Sequence, residues 1–331
     1  MISYNYAAVI STSPVNRLLG RSLLRITDLT PGELVMILTL ARQLKGLPLR
    51  EQHTLLRGRS LVMLFEKPSL RTRVSFEVGM SQLGGQAIFA RGDEFQIGAR
   101  ESPEDVARVL SRYADAIAIR THAHDVLDRL ANASTVPVIN ALSQAAHPCQ
   151  ALADVLTIRE RFGTLEGLRL AYIGNGQNNV AQSLTEAAAL AGVSITFGCP
   201  TTHRPSDAFL AHLIRLGGDH NITARAFTSP VRAVKEVDVI YTDVWTSMGE
   251  EQFAERNAAA LLGYQVNAKL MKAAASHAIF MHCLPAHRGE EVTDDVMDGI
   301  QSVVFDQAEN RVHAQKALLL ALLTDLKGFE L

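Results

Sequence analysis

A chain of 331 residues is too long for one small core, so two domains are the expected arrangement. With 47% hydrophobic residues, 20% charged residues and a formal net charge of −2, it has no general attraction to nucleic acid or an anionic membrane, and any anion site must be local. Three cysteines (Cys149, Cys199, Cys283) are an odd, sparse set that fits a reducing compartment rather than a disulfide framework. Residues 1–10 lack a basic start and carry only a four-residue apolar run, unlike a secretory signal. No stretch reaches membrane-spanning length, so the cytoplasm is the expected location.

Thr30-Pro31-Gly32-Glu33 reads as a helix start, with a threonine cap, proline at the first helical position and a glutamate to close the box. Leu34, Ile37, Leu38 and Ala41 give that helix one apolar face, ending near Gly46. Residues 60–65 form an apolar run long enough for a buried strand, and Val74, Val78 and Ser81, beside Phe76, Met80 and Leu83, then follow helical spacing. Between them lies Pro68-Ser69-Leu70-Arg71-Thr72-Arg73. Pro68 ends the strand and Ser69 suits the cap of the helix. Free backbone N–H groups at a helix start attract anions, and two hydroxyls and two guanidiniums nearby suit a phosphate. The plainer reading is a capped helix with solvated arginines.

Further strands are expected at 86–90, 115–120 and 136–140, with a polar loop over 91–101 and helices from Ser102-Pro103 and near 126–131. The alternation points to a parallel sheet covered on both faces, whose ligands bind beyond the carboxyl ends of the strands. The turn at Ser69, Arg120 and the loop before His147 fall at that edge. His147-Pro148-Cys149-Gln150 opens a long helix through Asp154, Ile158 and Phe162, a bridge between domains. A second alternation predicts strands at 168–173, 193–198, 223–227, 238–243, 278–282 and 303–305, and helices at 178–191, 205–216, 230–236 and 266–275. The last helix, about 308–327, is apolar over much of its surface and must be buried. The fold class is thus α/β, with two doubly wound parallel-sheet domains: 1–150, onto which the carboxyl-terminal segment 308–331 packs back, and 151–307.

Three loops in the second half carry polar chemistry. Gly174-Asn175-Gly176-Gln177-Asn178-Asn179 invites a dinucleotide reading, but the third glycine is Asn179 and the next strand ends without an acid for a ribose. Its two asparagines suit a small polar ligand, or simple capping. Asp243 to Glu250 follows an apolar strand; Asp243 and Ser247 can take an ammonium, and N–H groups around Met248 a carboxylate. His282-Cys283-Leu284-Pro285 follows another, with Leu284-Pro285 a candidate cis peptide. His282, Cys283, His287, His147 and Cys149 match no paired-cysteine zinc spacing, so no metal is expected. His122 and His124 read as surface histidines.

Ser69-Leu70-Arg71-Thr72-Arg73, His147-Pro148-Cys149-Gln150, Asp243 to Gly249 and His282-Cys283-Leu284-Pro285 together resemble the ornithine carbamoyltransferase family, in its order and approximate separations, from about Arg17 to Lys327. The resemblance implies two α/β domains with the active site in the cleft between them, a trimeric assembly, and transfer from carbamoyl phosphate to L-ornithine without metal or organic cofactor. It implies that Ser69, Arg71, Thr72 and the Leu70 N–H hold phosphate, and that Arg120, His147 and Thr72 surround the carbamoyl oxygen. Gln150 and the carbonyls of Cys283 and Leu284 would meet the carbamoyl nitrogen. Arg311 is a further anion contact, and Gln96 is lent by a neighbouring subunit. Asn179, Asp243, Ser247 and Met248 would form the ornithine site, with Asp243 and Cys283 orienting and helping to deprotonate the amine. Leu70, and Asn175-Gly176-Gln177, depart from the family's commoner residues at their positions.

Alternatives are a carbamoyltransferase for another amine such as putrescine or an acylated ornithine, a dinucleotide-dependent oxidoreductase, and a non-catalytic anion-binding regulator on the same fold.

Overall fold

A computed structural model describes residues 17–246, 251–326 and 329. Residues 1–10, and Ser247 and Met248, expected in the ornithine site, lie outside the described residues. Among the described residues no helix is long and apolar enough to cross a membrane.

The first lobe opens with α1 (Pro31–Gly46). Its expected box is formed: Thr30 Oγ1 accepts the Glu33 N–H at 3.3 Å, and Glu33 Oε2 accepts the Thr30 N–H at 2.8 Å. Then come β1 (Ser60–Phe65), α2 (Leu70–Gln82), β2 (Gln86–Arg91), α3 (Pro103–Leu110), β3 (Ala116–Arg120), α4 (His124–Ala133) and β4 (Val138–Leu142). Their sheet is parallel, in the order β2-β1-β3-β4. Next is α5 (Pro148–Phe162), and the second lobe follows with β5 (Arg169–Ile173), α6 (Asn179–Leu190), β6 (Ser194–Gly198), α7 (Asp207–Leu216), β7 (Ala224–Phe227), β8 (Val239–Thr242), α8 (Ala254–Leu261) and β9 (Ile279–His282). Its parallel sheet runs β7-β6-β5-β8-β9. Both sheets are wound outward in two directions from a central strand, β1 in one and β5 in the other. Each therefore has a point where strand order reverses, and loops there splay apart to leave a crevice.

Four local expectations change. The 91–101 loop contains a helical turn, Gly92–Phe95, and the helices expected at 230–236 and 266–275 shrink to Pro230–Ala233 and Ala268–Met271. α8 had no forecast. The strand expected at 303–305 is the start of α9 (Val304–Leu323). Val303 and Val304 are buried as strand residues would be, but the Gln307 N–H already bonds the Val303 carbonyl at 2.9 Å, so the backbone has turned helical. Only an isolated bridge, Phe280 to Ser302, remains of strand pairing there.

α9 leaves the second sheet and packs against α5, α1 and α2. Gly79 of α2 permits the close approach: a Cβ there would stand 3.3 Å from Lys316 Cγ. Leu318, Leu319 and Leu320 are fully buried, each contributing on the order of 2 kcal/mol by removing apolar surface from water. One apolar cluster runs from Leu38 and Phe76 through Leu152 and Leu319 to Leu184 and Ile195, so the lobes share a core through α5 and α9.

Candidate active site

The first reversal point lies between β1 and β3. There the chain turns from Phe65 into α2, and Ser69 is the N-cap residue, as expected. Its hydroxyl caps no backbone N–H; it donates to Thr72 Oγ1 at 3.0 Å. Leu70 is 76% exposed, so only its backbone faces the turn usefully. Arg73 behaves as the plainer reading had it, stacked 4.0 Å over Phe89 and paired with Glu77 at 2.9 Å. One of the two expected guanidiniums is thus engaged elsewhere, and the local sign of which was Glu77, four residues on from Arg73.

Other elements replace it. Arg120 ends β3 and is buried; burial, then the charges of Arg311 and Arg71, push its pKa down to about 10. Arg311, from α9, donates to Thr72 Oγ1 at 2.6 Å and to Gln150 Oε1 at 2.8 Å, joining the α2 turn to the start of α5. His147 caps α5 ahead of Pro148, and its N–H donates to Ser183 Oγ of α6 at 2.8 Å. Burial, then Arg311 and Arg120, hold its imidazole well below the usual range, so the ring is neutral. His147 Nδ1 and Arg311 Nε are buried without a hydrogen-bond partner among the described residues. The result is a positively charged, neutral-imidazole pocket over a helix start, an arrangement that favours a multiply charged anion.

The second reversal point lies between β5 and β8. Asp243 follows β8, and Asn178 follows the turn after β5. Asn178 Nδ2 donates to Asp243 Oδ2 at 3.2 Å while its Oδ1 accepts the Ala181 N–H at 2.7 Å. This takes a backbone donor that a dinucleotide pyrophosphate would need. Cys283 Sγ donates to Asp243 Oδ1 at 3.0 Å. Burial, then Asp243, raise the thiol well above its ordinary value, so it is a protonated donor. Asn179 lies apart from Asp243 in this network and donates across the lobes to the Ser143 carbonyl at 2.6 Å.

Leu284-Pro285 is cis. His282, just before, accepts the Leu284 N–H at Nδ1 (2.9 Å) and donates from Nε2 to Glu291 Oε1 (3.1 Å). Asp243, His282 and Cys283 have potential ligand atoms within 4.8 Å of one another, but both His282 nitrogens are engaged, so the ring braces the loop. His124 is a correction: it is buried, with Nδ1 2.6 Å from Ser143 Oγ. Gln96 sits in left-handed backbone (φ 42°) on an exposed loop beyond β2.

Two family models cover nearly the whole chain. "Aspartate/ornithine carbamoyltransferase, carbamoyl-P binding domain" matches residues 21–160, and "Aspartate/ornithine carbamoyltransferase, Asp/Orn binding domain" matches residues 166–322. The chain belongs to the aspartate/ornithine carbamoyltransferase family. A relative from Methanoculleus marisnigri, named ornithine carbamoyltransferase, is 48% identical over 92% of this chain and 97% of its own. One from Pyrococcus furiosus, named "Ornithine carbamoyltransferase, anabolic", is 47% identical over 94% and 98%. Among solved structures, the ornithine carbamoyltransferase of Pyrococcus furiosus superposes with a TM-score of 0.88 at 47% identity, covering 92% of this chain and 98% of that one. That of Thermus thermophilus gives 0.81 at 43%, covering 92% and 99%.

Within this carbamoyltransferase fold, several buried or half-buried polar residues had no role in the sequence reading. Glu66 accepts from Thr121 Oγ1 (2.7 Å) and the His122 N–H (3.1 Å), tying the β1 and β3 loops together. Asp154, Tyr241 and Gln307 form a network behind Gln150. The one available signal was a charged or amide side chain inside an otherwise apolar stretch.

Proposed function

We propose that the chain is an ornithine carbamoyltransferase, moving the carbamoyl group of carbamoyl phosphate onto the side-chain amine of L-ornithine to give L-citrulline and phosphate. The observation that carries the reading is Arg311, buried and bonded to both Thr72 and Gln150, beside a second buried guanidinium, Arg120. Like charges gathered out of water are costly unless an anion joins them. Family membership, and relatives named ornithine carbamoyltransferase at 48% and 47% identity, support the same activity.

In this reading Ser69, Arg71, Thr72 and the Leu70 N–H take the phosphate, with Gln96 supplied by a neighbouring copy. Arg120, neutral His147 and Thr72 donate to the carbamoyl oxygen as charge develops on it, in general the largest catalytic contribution. Gln150 Oε1 and the Cys283 and Leu284 carbonyls accept from the carbamoyl NH2. Asn179, Asp243, Ser247 and Met248 hold ornithine. Asp243 accepts the proton of the side-chain ammonium, and the freed nitrogen attacks the carbamoyl carbon while the C–O bond to phosphate breaks. Cys283, a protonated donor, aims Asp243 rather than acting as the base. Proximity across the cleft and exclusion of water complete the account.

We assign the two domains to 1–150, with the carboxyl-terminal helix packed back on it, and 151–307. The assembly is a homotrimer or a multiple of trimers, the role arginine biosynthesis, with the catabolic arginine deiminase route as the alternative, and the compartment the cytoplasm. The "anabolic" name of the Pyrococcus furiosus relative supports the role, and three free cysteines suit a reducing compartment. Incubation with carbamoyl phosphate and ornithine should give citrulline, with aspartate, putrescine and acetylornithine far poorer acceptors. No citrulline, or a preference for another amine, overturns the assignment. Sedimentation tests the trimer.

A further inference from the structure

Asp154 lies one turn after Gln150 on α5 and is fully buried. Its Oδ1 accepts from Gln150 Nε2 at 2.9 Å and from Gln307 Nε2, in the first turn of α9, at 2.6 Å. Its Oδ2 is 3.2 Å from Tyr241 Oη on β8. Gln307 in turn accepts the His282 N–H at 3.0 Å, one residue before Cys283. One carboxyl group therefore links the start of α5, the second sheet, α9 and the loop after β9.

The consequence is an orientation. The two ends of a glutamine amide have nearly the same shape but opposite hydrogen-bonding roles. Arg311 can only donate, so the end of Gln150 facing it must be Oε1. Asp154 Oδ1 accepts whether the acid is charged or protonated on Oδ2, so the end facing it must be Nε2. Gripped from both sides, the amide presents a fixed oxygen with a second lone pair beside Arg311. A carbamoyl group differs from an acetyl group in having an NH2 donor where the other has a methyl; of the three acceptors assigned to that NH2, this oxygen is the one whose aim depends on Asp154.

We propose that Asp154 is a positioning residue that holds the Gln150 amide in one orientation and thereby sets the preference for a carbamoyl over an acetyl group. The inference rests on the carbamoyltransferase reading. Without Asp154, Gln150 Nε2 becomes a buried donor lacking an acceptor, while Gln307 Nε2 keeps Tyr241 Oη at 3.2 Å, and Gln150 swings to satisfy itself elsewhere.

The test uses two stable phosphonates that differ only in that group, phosphonoacetamide (NH2) and acetonylphosphonate (CH3), titrated calorimetrically into the full-length protein. The wild type should bind phosphonoacetamide about ten-fold more tightly, the worth of one buried hydrogen bond. D154L should lower that ratio at least about three-fold, the Cys283 and Leu284 carbonyls remaining, while leaving acetonylphosphonate affinity unchanged within about two-fold. D154N should keep the ratio, since Asn Oδ1 accepts from both glutamines and its NH2 meets Tyr241 Oη. A retained ratio in D154L, or equal weakening of both ligands, overturns the proposal. Should D154L not fold, D154N decides: a kept ratio supports it and a lost ratio in a folded D154N overturns it. A wild type that makes citrulline yet shows no preference sinks this inference alone, whereas a wild type that makes none sinks the proposed function.

Discussion

Cys283 Sγ lies 3.0 Å from Asp243 Oδ1, with the thiol as donor. The bond joins the loop after β9 to the loop after β8, and the raised thiol pKa keeps the proton on sulfur. The pair consequently has one donor and one acceptor, and in the proposed function the acceptor is what an incoming ammonium would meet.

Removing that donor should affect the acceptor substrate more than the anion. C283A keeps the backbone carbonyl and loses only the thiol, so kcat/KM for ornithine should fall about ten-fold, the worth of a hydrogen bond to a charged group. The KM for carbamoyl phosphate should stay unchanged within about two-fold. C283S, which can still donate, should recover most of the loss. The unmodified thiol should also react with iodoacetamide more slowly than free cysteine at about pH 8, because little thiolate is present.

Arg120 carries a cost that shows without ligand. Its depressed pKa means the folded chain holds that proton less firmly than the unfolded one, and the penalty is fully present at neutral pH, easing only as pH rises above about 10. R120M should therefore melt at a higher temperature than the wild type in phosphate-free buffer. Added inorganic phosphate should raise the melting temperature of the wild type and do little for R120M. Equal phosphate shifts in both would remove Arg120 from the anion site.

His147 supplies the opposite pH signature from the acid side. Burial holds its folded pKa well below 6.5, so unfolding takes up a proton once the pH drops under that value. Stability contributed by the neutral ring is complete above about pH 6.5 and is lost as pH falls towards the folded pKa. H147Q has nothing to titrate there, so its denaturant midpoint should decline less than that of the wild type between about pH 7 and pH 5. Parallel declines would contradict the buried neutral ring.

Leu318 is fully buried in the core shared by α9 and the first lobe. L318A should cost about 2–5 kcal/mol, read as a lower urea midpoint at unchanged slope.

The strand-and-helix alternation, the capping box at Thr30 and the turn at Ser69 into α2 were legible because each is carried by adjacent residues. Ser69, Thr72, His147 and Asp243 belong to such local runs, and the structure sets each at a strand's carboxyl edge. What escaped depends on partners far along the chain. Arg73 stacks on Phe89 of the next strand, although its other partner, Glu77, was in view one helical turn away. His124 read as a surface residue because its partner, Ser143, comes after the next strand. Val303-Val304-Phe305 has the apolar content of a strand, and the helical bond to Gln307 overrode it. Asp154, Tyr241 and Gln307 meet only once both lobes are built, and so left no pattern in any short window.

The chain passes from the first lobe to the second along α5 and returns along α9, and the two helices lie against each other. A single crossing would let the lobes swivel freely; a pair behaves like a door hung on two hinges, able to swing but resistant to wringing. Groups on the facing walls are then held to one alignment by two connections rather than one. A chain cut short before α9 would lose one hinge and with it the fidelity of that meeting, even if each lobe kept its own shape.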